Sequence, residues 1–280
     1  RASFRARFTG ALAQRAGGVR GGTAVNPALE TVNASIGSTG SRLGAFRLQR
    51  DVLRHEPDLV LVEFAVNGGG IEAAEGIISQ LRAGQPRPAV ILVALGIHNH
   101  NEPGTVHRLP DHAAWWELGR HYGIPVADGA AAMQAALDAG AAPGKLWPIP
   151  HDHVHPSAEG HRVVAEALLE TYLEAVRAPG PPEPQPDGPL TPNRLARARM
   201  VPLADFAGQG GGWQAREPPG PPYSAAQDPA QAFDTVIVSG EAGAELALGS
   251  HGPVRAAGLY YEAWKGRSEE HTSELQSHAP

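Results

Sequence analysis

The eleven residues HDHVHPSAEGH at 151–161 hold four histidines and one aspartate. Two chemical uses of this spacing compete. His151, His153 and His155 alternate, as zinc ligands do along an extended strand. Asp152 and His155 stand three apart, which on one helical turn brings a carboxylate and an imidazole to the same side, the pairing that orients a general base. The third use is none, a histidine-rich loop ahead of a helix. Zinc would need a further ligand and an ordering second shell, and GIHNHNEP at 96–103 is the one other stretch that offers them. We therefore read His151 and His153 as loop residues and expect no metal.

The elements around these residues follow from hydrophobic periodicity. SFRARFTGALAQRAG, with Phe4, Phe8, Leu12 and Ala13, and SRLGAFRLQRDVLRH both have helical spacing. Between them LETVNASIG reads as a short strand. DLVLVEFAV and PAVILVALG are continuous apolar runs of strand length, as expected of strands buried on both faces. IEAAEGIISQLRAG and DHAAWWELGRHYG are helical, IPVAD is a short strand, and SAEGHRVVAEALLETYLEAVRA is a long amphipathic helix with Ser157 as its N-cap. Of the adjacent Trp115 and Trp116, at most one can face the core fully. Alternating strands and helices imply an α/β fold with a parallel, flavodoxin-like sheet and helices on both faces. Chemistry in such sheets gathers in loops beyond the carboxyl ends of the strands.

Composition narrows the chemistry. The chain has 280 residues, 42% hydrophobic, and a net charge of −6 with no basic stripe, so nucleic acid is not an expected partner. No cysteine is present, which excludes disulfides, thiolate nucleophiles and cysteine-held metals. No stretch approaches the roughly 20 apolar residues of a membrane span, and compartment is not legible.

Three blocks in order, NASIGSTGS at 33–41, VEFAVNGGG at 62–70 and DHVHPSAEGH at 152–161, resemble the SGNH hydrolases, also called GDSL esterases and lipases. The resemblance covers residues 1–177 and implies acyl transfer by a Ser–His–Asp mechanism without a cofactor. It implies that His155 is the general base and Asp152 its orienting partner. Asn67, through its side-chain N–H, and the loop at Gly37 and Ser38, through a backbone N–H, would form the oxyanion hole. Relatives often carry Gly where this chain has Ser38, and Asp where it has Gly68. His98, Asn99 and His100 are expected to line a polar substrate pocket.

The nucleophile block of that family, G-x-S at the end of the first strand, has no counterpart. Ser3, Ser35, Ser38, Ser41, Ser79 and Ser157 all have other contexts. The expectation is a chain that begins after that block and is by itself inactive, from a parent esterase acting on O-acyl groups, acetyl esters of a carbohydrate or similar polar substrate. The alternatives are a non-catalytic carbohydrate-binding protein on a degenerate hydrolase fold and a histidine-ligated metal hydrolase. APGPPEPQPDGPLTP at 178–192 carries seven prolines and reads as a linker. FDTVIVSG, AELALGS and VRAAGLYYEAW suggest a partial all-β domain over 193–266. RSEEHTSELQS at 267–277 resembles the translation of a common sequencing adapter, so 267–280 is read as an artefactual tail.

Overall fold

The computed structural model describes residues 3–16, 29–177, 186–200, 214–216 and 236–238. The chain divides into two compact units, Arg1–Gly249 and Ser250–Pro280, and every described residue belongs to the first. The elements are α1 (Phe4–Ala16), α2 (Ser41–Asp51), β1 (Leu59–Val62), α3 (Ile71–Ala83), β2 (Ala89–Ala94), β3 (Ile97–His98), β4 (Val106–His107), α4 (Asp111–Tyr122), β5 (Val126–Asp128), α5 (Gly129–Asp138), α6 (Pro143–Leu146), α7 (Ala158–Arg177), β6 (Gln214–Arg216) and β7 (Val236–Val238).

β1, β2 and β5 form a parallel sheet in that order, with Leu59 paired to Ala89 and Leu92 to Val126. The apolar strand runs alternate between two cores, as the period of two requires. Val60, Val62, Leu92 and Ala94 pack with Ala45 and Leu48 of α2, Ile77, Ile78 and Leu81 of α3, and Trp115 and Leu118 of α4. Ile91 and Val93 point the other way, toward Phe8 of α1, Met133 of α5 and Val164 and Leu168 of α7. Both faces of the sheet are thus covered by helices. Trp115 is 1% exposed and its indole N–H donates to Val93 O at 2.9 Å, whereas Trp116 is 37% exposed, so one of the pair is core and the other rim. Phe8 meets Tyr172 edge to face and docks α1 on α7. No described helix is long and apolar enough to cross a membrane.

One expected strand does not form. Residues 29–36 of LETVNASIG have no regular structure, and Leu29 and Val32 are 49% and 46% exposed. A strand needs a partner ladder, and no described strand pairs with this stretch; the Arg47 guanidinium donates to Ala34 O and the Thr39 hydroxyl to Ile36 O, each at 2.8 Å.

Residues 186–200 lie against α3. Leu195 and Ala198 enter the first core, and Gly76 of α3 lets Leu195 come so close that a Cβ there would sit 2.6 Å from the Leu195 Cβ. Glu75, wholly buried, accepts from Tyr122 Oη at 2.6 Å, Leu190 N at 2.6 Å, Thr191 N at 2.9 Å and the Thr191 hydroxyl. Gln80 donates to Ala45 O and Leu195 O, and Arg194 pairs with Glu72 at 2.8 Å. Of the β-type runs further on, β7 falls in FDTVIVSG and pairs antiparallel with β6. AELALGS, VRAAGLYYEAW and the 267–280 tail lie outside the described residues.

Candidate active site

Residues 151–157 are neither strand nor helix; they bend into a turn around the Asp152 carboxylate. Its Oδ1 accepts the backbone N–H of Val154 at 2.8 Å and of His155 at 2.9 Å, and its Oδ2 lies 2.7 Å from His155 Nδ1. An aspartate that bonds its own backbone two and three residues on is a turn device, and here the same carboxylate also orients the imidazole. Burial raises the Asp152 pKa, but the N–H groups of His155 and Val154 and the His155 ring outweigh it and hold it below the ordinary value. With Nδ1–H donated to the carboxylate, Nε2 is left as the acceptor. The His155 side chain is 80% exposed. Ser157 Oγ accepts from Glu159 N at 3.1 Å and Gly160 N at 3.2 Å, so it caps α7 as its position suggests. Among the described residues no serine hydroxyl is hydrogen-bonded to His155.

His153 turns inward to the β3–β4 hairpin. Its carbonyl accepts His98 N at 2.9 Å, and the two Nδ1 atoms are 2.9 Å apart, so one ring donates to the other. His100 stacks on His153 at 3.6 Å between centroids. His98 is 3% exposed and lies against Trp147; burial, then the neighbouring His153 and His100, push its pKa down. His98 therefore supports the Asp152–His155 loop from beneath, while His100 is exposed and Asn99 is half-buried, with its Oδ1 accepting Asn101 N. His151 is exposed. Among the described residues no group of three or more His, Asp or Glu is placed to hold a metal ion.

Gly37 and Ser38 form an exposed turn, and Ser38 has φ 59, the left-handed region that favours glycine. Asn67 is exposed after β1 and donates its side-chain N–H to Thr39 O at 3.2 Å. The two loops are sewn together further on, where Gly68 O accepts Ser41 N at 2.9 Å and Ser41 Oγ at 3.2 Å. Gly40 is required at this crossing, since a Cβ on it would stand 2.7 Å from Gly68 O. The structure thus brings the Ser38 and Asn67 loops into contact, and separately brings Asp152 to His155. It places both at the carboxyl end of the sheet, because His98, which holds the His153 loop, follows β2 as Asn67 follows β1.

Three polar features escaped the sequence patterns. His112, 6% exposed, lies 3.3 Å from Asp128 Oδ1, and Asp128 also caps α5 by accepting Ala131 N at 2.8 Å. In this second Asp–His pair the histidine is buried and the aspartate half-buried, and the pair ties α4 to the end of β5. Asp111 Oδ2 accepts Gly70 N at 3.0 Å. Glu63, just past β1, keeps Oε1 buried without a donor; burial pushes its carboxyl up to about 7 against the pull of the Val66 and Ala65 N–H groups. Each joins residues far apart in sequence or depends on burial, and no spacing reports either. An acidic residue in the first turn of α4 was the only hint.

No family model and no curated protein matches the chain. Among solved structures it is similar to a two-domain esterase (CEX) active on acetylated mannans, co-crystallised with mannopentaose, at 26% identity and a TM-score of 0.57 over 76% of this chain and 54% of that one. The chain therefore spans about half the length of that protein. Axe2, an acetylxylan esterase from Geobacillus stearothermophilus, aligns at 21% identity and a TM-score of 0.45 over 61% of this chain and 80% of that one. A parallel sheet covered by helices on both faces, with its loops joined at the carboxyl end, is the α/β fold of the SGNH hydrolases, and this chain has it.

Proposed function

We propose that the chain carries the general base and oxyanion groups of a carbohydrate esterase that removes acetyl or similar acyl groups by a Ser–His–Asp mechanism. The observation that carries this reading is the Asp152–His155 pair, a 2.7 Å bond that fixes the imidazole with Nε2 directed away from the carboxylate. His155 would take the proton of an attacking serine hydroxyl and return it to the leaving alcohol, and Asp152 would stabilise the cation that forms between. Asn67 and the backbone N–H at Ser38 would meet the negative charge that develops on the carbonyl oxygen. The similarity to a mannan-active esterase supports an acetylated polysaccharide as the substrate class. Among the described residues no serine hydroxyl is bonded to His155, and the attacking hydroxyl is proposed to come from outside them.

The test is to extend the chain at its N-terminus by a strand ending in G-x-S and measure release of acetate from acetylated manno-oligosaccharides. His155→Ala should cost about 10³-fold or more in kcat, and Asp152→Asn about 10²–10⁴-fold. Activity that persists near full rate in His155→Ala would remove the assignment. Ser38 and Gly68, at positions where relatives often carry Gly and Asp, favour a second reading, a carbohydrate-binding protein on the same fold. That reading gains if the extended chain binds manno-oligosaccharides but releases no acetate.

A further inference from the structure

We infer that Asp111 is a positioning residue for the oxyanion loop, supplying from α4 the carboxylate that a side chain at position 68 would otherwise bring. The inference rests on reading Asn67 as an oxyanion donor. Residues 68, 69 and 70 are all glycine, with φ of 75, 121 and 80. Such a run loses more conformational freedom on ordering than any other sequence, and it has no side chains with which to hold itself. Its order must come from outside.

Gly68 N donates to Phe64 O at 3.1 Å, Gly68 O accepts from Ser41, and Asn67 donates to Thr39 O. Those bonds fix the front of the loop. The back, at Gly70, has two ties: its carbonyl accepts Ala74 N at 3.2 Å from the first turn of α3, and its N–H donates to Asp111 Oδ2 at 3.0 Å, across 41 positions of sequence. The same oxygen lies 3.7 Å from where a Cβ on Gly68 would stand. The carboxylate therefore stands within van der Waals reach of a side chain at position 68.

Asp111 is itself well founded. Its neighbour His112 is buried and bonded to Asp128 at the end of β5, so the start of α4 is referenced to the sheet. A chain of contacts runs from Asp128 through His112 and Asp111 to Gly70, and from there along the glycines to Asn67. An acid in the first turn of a helix commonly serves its own helix; this one reaches to another element and accepts a backbone N–H there.

The test reads loop order in this chain, by NMR of the Gly70 backbone amide and the Asn67 side-chain amide with hydrogen exchange. Asp111→Ala should cut exchange protection at Gly70 by about tenfold or more and shift the Asn67 side-chain signals, with the Trp115 indole signal in the core unmoved. Asp111→Asn, which keeps an acceptor, should restore both readouts. The double variant Asp111→Ala/Gly68→Asp should restore them in part, since aspartate tolerates a left-handed backbone better than most residues. Unchanged Gly70 and Asn67 signals in Asp111→Ala would overturn the inference, as would a change shared with Trp115. If Asp111→Ala fails to fold, the other two decide: a loosened Gly70 in Asp111→Asn together with no ordering in the double variant overturns it. Because no ester is hydrolysed in this assay, failure of the esterase reading would leave the result standing.

Discussion

Replacing Glu75 by Ala should unfasten residues 186–200 from α3. The carboxylate is wholly buried and receives four donors, from the Tyr122 hydroxyl, the Leu190 and Thr191 amides and the Thr191 hydroxyl. Tyr122 is 5% exposed, so the loss of its carboxylate partner costs about 2 kcal/mol. Leu190 is 38% exposed, and its amide and that of Thr191 can reach solvent once the segment lifts, at about 1 kcal/mol each. The sum is about 4 kcal/mol, a large part of the roughly 5–15 kcal/mol that holds a domain together. Glu75→Gln should cost about half as much, because one oxygen remains while an NH₂ group now faces donors. Urea unfolding measures the loss, and limited proteolysis within 186–200 should accelerate in parallel. A Glu75→Ala loss below about 1 kcal/mol, with the segment still protected, would refute the view that this carboxylate is the anchor.

Two further outcomes follow from the loops around β1. Glu63 has its pKa raised to about 7 from 4.5, so the folded state binds more protons between those values and stability falls as pH rises through that window. Glu63→Gln should flatten the fall, which is on the order of 2–3 kcal/mol between pH 5 and 8, as read from urea midpoints at each pH. Gly40→Ala should drive a methyl into Gly68 O, separate the Ser38 and Asn67 loops and lower stability by about 2 kcal/mol. The same stability and an intact Asn67 to Thr39 bond by NMR would show that the crossing takes a methyl without parting the loops.

The sequence made the periodic parts legible. Nine-residue apolar runs such as PAVILVALG have one stable place, inside a sheet covered on both faces, and α2, α3, α4 and α7 follow from stripes whose buried members are Leu48, Ile77, Leu118 and Leu168. Ser157 announced the start of α7 by type and position. LETVNASIG misled because β-branched residues suit a strand but do not supply its partner. The β3–β4 hairpin has two residues per strand, too short for any period, so the burial of His98 was invisible and its side chain was expected on a substrate face. The Asp152–His155 pairing was legible from spacing, though the geometry is a turn around the carboxylate rather than helix. Asp111 was hidden because its partner is a backbone amide that any residue would offer.

The parallel sheet makes the molecule polar. Asn67 and His98 follow the carboxyl ends of β1 and β2, Asp128 is the last residue of β5, and the turns at 55–58 and 84–88 lead into the amino ends of β1 and β2. Since the chain has no cysteine, a cysteine placed at the exposed Ala83, at the end of α3, would be its single thiol. A bead or electrode coupled there would hold the sheet by its amino end. The loops that carry Asn67 and His155 would then lie at the end of the sheet away from the support.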